Sequence, residues 1–169
     1  ETSIESIFET LGAPAAGNTQ KESQEQKISE NPESAGNNKG GQAQTENKPW
    51  EQISQTLDQL NTHWNEYLPE ATLKSSDSTI INNFSNSLNN LTNIIREQDK
   101  RQTLLAANNL YSSIPELYTL YKTQHLGELK RMILYTRSCI IYSQSDKWAE
   151  VDLNMEDLES TWPFLKSAF

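Results

Sequence analysis

The stretch NKPWEQISQTLDQLNTHWNEYLP, residues 47–69, decides the fold. Its apolar residues Trp50, Ile53, Leu57, Leu60, Trp64 and Tyr67 recur three or four positions apart, which places them on one face of an α-helix. Pro49 suits a first turn, where its missing N–H costs nothing. The reading therefore starts a helix at Asn47 or Lys48 and ends it at Pro69. Upstream the pattern vanishes. From Gly12 to Lys48, Ile28 is the single large apolar residue among Gly, Asn, Gln, Ser, Glu, Lys and Ala. Such a run cannot bury enough apolar surface to offset the entropy of ordering it. The break predicts a flexible polar leader over residues 1–48 and one helical domain over residues 49–169.

Downstream the helical spacing continues almost to Phe169. A second helix follows a Ser75-Ser76-Asp77 cap and carries Ile81, Phe84, Leu88, Leu91 and Ile95. The polar stretch from Arg96 to Gln102 contains Asp99-Lys-Arg-Gln102, a capping box that restarts a third helix. That helix carries Leu104, Ala107, Tyr111, Ile114, Tyr118 and Tyr121, with Pro115 expected to kink it; the alternative is a fresh helix capped by Ser113-Ile-Pro-Glu116. Gly127 and the polar residues before it mark the next turn. A fourth helix has two apolar stripes, Leu126, Leu129, Ile133, Ile140 and Met132, Tyr135, Cys139, Tyr142, and is expected to be the most enclosed. The fifth carries Trp148, Val151, Met155, Leu158, Trp162, Leu165 and Phe169. The first and fifth helices share one template, a Trp, apolar residues three, seven and ten positions on, and a second Trp at fourteen. A duplicated hairpin produces this, and so does any heptad seam. The expected fold is an all-α, up-and-down antiparallel bundle of four to five helices behind a disordered leader.

Within the leader, Ile4, Ile7, Phe8 and Leu11 form a short apolar stripe over residues 2–11. An isolated helix of that length is marginal in water, so it is either frayed or docked on something. The reading favours an unordered end.

A net charge of −9 argues against sequence-independent nucleic-acid binding, which requires a Lys and Arg surface to displace counterions. No apolar run reaches the ~18 to 20 residues that cross a bilayer. The lone Cys139, flanked by Ile140 and Ile141, reads as a small buried side chain rather than a reactive thiol. The polar leader resembles the tether that follows the lipidated cysteine of bacterial surface lipoproteins, so membrane association is expected only through a lipid anchor that this chain does not contain.

The chemistry-bearing signals are sparse. Both histidines open an H-x-x-E sequence, His63-Trp-Asn-Glu66 and His125-Leu-Gly-Glu128. On a helix an imidazole and a carboxylate three apart lie on one side and can share an ion. Alternating helices bring the two pairs to one end of the bundle. Two nitrogen and two oxygen ligands suit zinc, copper or iron. The segment His125 to Glu128, beside an aromatic-rich helix, resembles the H-x-x-E motif of imelysin-like proteins, helical bundles that include periplasmic iron-uptake components. The resemblance implies a metal-associated, extracytoplasmic role. No phosphate loop, paired cysteines or nucleophile elbow is present, and no enzymatic activity is expected. Abundant Tyr and Trp, including Tyr111, Tyr118, Tyr121, Tyr135 and Tyr142, either line a ligand cavity or fill the core. The leading expectation is a non-enzymatic, extracytoplasmic binding or accessory module of a bacterial secreted protein or lipoprotein, its partner a protein or small ligand and no cofactor assigned. The metal-binding uptake component is the alternative.

Overall fold

The computed structural model describes residues 1–12, 42–74, 78–121 and 124–166. They form helices α1 (Thr2–Thr10), α2 (Gln42–Lys74), α3 (Ser78–Ile95), α4 (Lys100–Tyr111), α5 (Ile114–Thr119), α6 (Gln124–Ser143) and α7 (Trp148–Lys166), with no strand among the described residues. The protein is an all-α bundle. Most of the expected leader, the Ser75-Ser76-Asp77 cap and Phe169 lie outside the described residues.

The α2–α3–α4 layer is where amphipathic spacing and burial agree. Ile53, Leu57, Leu60 and Trp64 of α2 meet Ile81, Phe84, Leu88, Leu91 and Ile95 of α3, all buried. Separation of α3 from α4 follows the expected cap. Gln98 takes a left-handed conformation at φ 53°, and the Asp99 carboxylate accepts from the Gln102 N–H at 2.8 Å. Packed on α1, α3, α5 and α6, α4 is the most enclosed helix, burying Leu104, Ala106, Ala107, Leu110 and Tyr111. That corrects the expectation for the 126–142 helix: most of α6 is only half-buried, and Leu126 and Leu129 are exposed.

Proline positions give three further corrections. At Pro49 the helix does not start, because α2 begins at Gln42 in a run of good helix formers. Nor does it end at Pro69, since fully buried Ala71 and the Glu70–Lys74 ion pair, 2.9 Å, hold its last turn. Pro115 does not kink one long helix. Instead α4 stops at Tyr111 and α5 restarts with Pro115 in its first turn, where the absent N–H is not missed. Gly127 lies inside α6 rather than in a turn, and a Cβ there would stand 3.2 Å from the Pro115 carbonyl oxygen, so the glycine lets α6 approach α5 closely.

The 2–11 stripe is docked, not unordered. Ile4, Ile7, Phe8 and Leu11 are buried in the same core as α2 and α4, and Gly12, at φ 66°, closes the helix. Polar contacts reinforce the docking. Arg137 of α6 is 3% exposed, sandwiched between the Phe8 and Tyr111 rings at 4.4 and 4.7 Å, and ion-paired with Glu5. A nine-residue helix that could not persist alone is thus held by burial and one buried cation.

Candidate functional site

The H-x-x-E residues occupy different surroundings. His63 and Glu66 are exposed on α2. Glu128 of α6 is ion-paired with Arg131, which also reaches Glu116 of α5. His125 lies on α6, and its side chain is outside the described residues. Among the described residues no three His, Cys, Asp or Glu side chains come together as a metal site.

His63 instead stands at the mouth of an aromatic cleft of about 400 Å³, walled by Trp64, Tyr67, Phe84, Ile114, Tyr118 and Tyr121. Trp64 stacks at a tilt on Phe84, centroids 4.1 Å apart, and donates its indole N–H to Ser85 at 3.0 Å. The tyrosine hydroxyls around the cleft and Glu1 are engaged by the protein. The Tyr121 hydroxyl is 2.8 Å from that of Tyr67 and 3.2 Å from the Glu70 carboxylate, while the Lys74 ammonium lies 3.8 Å over the Tyr121 ring. Burial, helped by the Tyr121 contact, pushes the Tyr67 phenol well above its ordinary value, so its hydroxyl stays protonated. Glu1 accepts from Tyr118 at 2.8 Å and pairs with Lys130. These contacts tie α1, α2, α5 and α6 together around the cleft, which is the work of a structural junction.

A different surface carries most of the exposed apolar side chains. Of the nine large apolar side chains exposed among the described residues, seven sit on α6 and α7: Leu126, Leu129, Trp148, Leu153, Met155, Trp162 and Phe164. Packing of α7 is on α6, and only Thr161 and Leu165 of α7 are buried. The expected fifth-helix seam is therefore corrected: Trp148 is 59%, Met155 46% and Trp162 54% exposed. These three are spaced by sevens, hence two turns apart on one line along α7. A four-residue connection makes α6 and α7 antiparallel, with the Cys139 thiol 3.7 Å from the Val151 carbonyl setting their register. Burial raises the Cys139 pKa, consistent with an unreactive thiol in this contact. In an antiparallel pair, turning in the same sense about each chain leads to the same edge. About a quarter turn from the contact line this edge carries exposed Leu129 and half-buried Ile140 on α6 and exposed Trp148, Met155 and Trp162 on α7, while Ile133 of α6 packs on the core. By helical position, Leu129 of α6 and the Trp148, Met155, Trp162 line of α7 stand at one edge of the pair.

Periodicity marked these α7 residues as an apolar stripe but assigned them to the interior. The signal that separates the two fates is the acid content of α7, five Asp and Glu against one Lys, which fits a helix with one narrow packed line. Comparison with protein-family models, with curated proteins and with solved structures found no match.

Proposed function

We propose that this chain is a non-enzymatic docking module, an up-and-down helical bundle that binds a protein partner through the outer edge of the α6–α7 hairpin. The observation that carries the reading is the line of exposed Trp148, Met155 and Trp162 along α7, with exposed Leu129 of α6 at the same edge. A row of exposed large apolar side chains at one edge suits an interaction site, whereas single exposed leucines need no explanation. The setting proposed is extracytoplasmic, in a bacterial secreted protein or lipoprotein, supported by the polar composition of residues 13–41, which suits a tether. No described helix is long and apolar enough to cross a membrane.

The test is a paired variant, Trp148→Ser with Trp162→Ser. If the strip serves binding, the variant keeps the helical signal and denaturant midpoint of the parent and loses most of the fluorescence enhancement of an apolar surface dye. A large fall in midpoint would show instead that these tryptophans hold the fold, and the docking reading would be wrong.

A further inference from the structure

We infer that the α6–α7 edge receives an amphipathic helix from a partner protein, with one apolar stripe and a lysine- or arginine-rich flank; this rests on the docking reading above. Shape and charge select that occupant. The line from Trp148 to Trp162 spans 14 residues of helix, about 21 Å, which matches four turns of a helix laid alongside. Leu129 and half-buried Ile140 of α6 stand beside the α7 line, and a row of that length suits i, i+3, i+4, i+7 anchors.

Asp152, Glu156 and Glu159 border the α7 line on the side turned away from α6, by their positions on the helix. All three are exposed, and no ion pair among the described residues engages them. A helix seated on the strip would place one flank against these carboxylates, and basic residues there gain attraction while acidic ones are repelled. The same charges disfavour two other occupants. A second copy would bring a net −9 against another −9, and an anionic lipid surface would meet the same repulsion.

Two synthetic 18-residue helical peptides test the inference on the full chain. They share a Leu stripe and differ only in carrying Lys or Glu along one flank. Anisotropy of fluorescein-labelled peptides should show the Lys peptide binding at least about tenfold more tightly, with the preference shrinking as salt screens the flank. Trp148→Ser with Trp162→Ser should abolish binding of both peptides. The triple change Asp152→Asn, Glu156→Gln, Glu159→Gln should retain binding and erase the preference. Equal affinity of the two peptides for the parent protein would overturn the basic-flank assignment and leave the docking surface standing. Binding of neither peptide would overturn the helix assignment, while the dye and midpoint test above judges the docking surface separately. A dimer in sedimentation that the tryptophan variant dissolves, or partition onto phosphatidylcholine vesicles that the same variant loses, would assign the strip to a second copy or to lipid and overturn the inference.

Discussion

Helices α2 and α7 carry one template and meet opposite fates. In α2 the positions are Trp50, Ile53, Leu57, Leu60 and Trp64; in α7 they are Trp148, Val151, Met155, Leu158 and Trp162. The α2 set lies between α1 and α3, and its last four members are buried. On α7 no member is buried and three are exposed. The second Trp shows the difference most sharply. Trp64 stacks on Phe84 and donates to Ser85, while Trp162 is more than half open. Spacing specifies that a helix has an apolar face; the number of neighbours specifies whether that face becomes core. With α6 as its packing partner, α7 has one line to bury and more apolar surface than that line uses.

The contrast is easiest to break with a pair of substitutions. Trp64→Ala should cost about 3 to 5 kcal/mol, and Trp162→Ala should stay within about 0.5 kcal/mol of neutral, both read as denaturant midpoints. Similar losses would mean that α7 is as much a core helix as α2. A second substitution probes how α1 joins the buried side of the comparison. Glu5→Gln leaves the Arg137 guanidinium buried without its counter-charge and should lower stability by about 1 to 3 kcal/mol. Adding Arg137→Met should recover part of the loss, and no recovery would show that the ion pair does not hold α1.

Smaller effects sharpen the same picture at its margins. Asp99→Ala removes the hydrogen bond to Gln102 N–H and should cost about 1 kcal/mol, confined to the start of α4 in amide exchange. The weakest expected effect is on acid stability. Burial alone would raise the Glu1 carboxyl pKa, but hydrogen bonds from Lys130 and Tyr118 outweigh it and hold the pKa below the ordinary value. A depressed carboxyl contributes stability above its unfolded pKa and loses it as pH falls through the folded value. Glu1 therefore contributes at neutral pH, its contribution drains below about pH 4.5, and Glu1→Gln should flatten that part of the stability curve without touching the α7 strip.

Local signals in the sequence carried a good part of the fold. The α3 stripe and the Asp99 cap are set by neighbours within one or two turns, and both stand where the residues put them. What was illegible depends on distant partners. Pro69 reads as a stop until Ala71 finds a buried place beyond it. The 2–11 segment is too short to be a helix alone, and its docking needs Arg137, more than a hundred residues away, and the Phe8 and Tyr111 rings around it. For the candidate site, the α7 residues were visible as a stripe and their exposure was not, because exposure depends on which helices arrive to cover a face. His63 shows the same limit, since its place beside the aromatic cleft comes from α3 and α5 residues that no local motif names.

The docking of α1 also sets how the molecule would bear a load. A pull entering at Glu1 reaches α1 before it reaches the roughly 30 residues between α1 and α2, because Ile4, Ile7 and Phe8 are seated in the bundle. The helix therefore acts as a mechanical fuse. Below its rupture force the body follows the pull directly; above it, the seats of Ile4, Ile7 and Phe8 must empty before the pull passes on to α2.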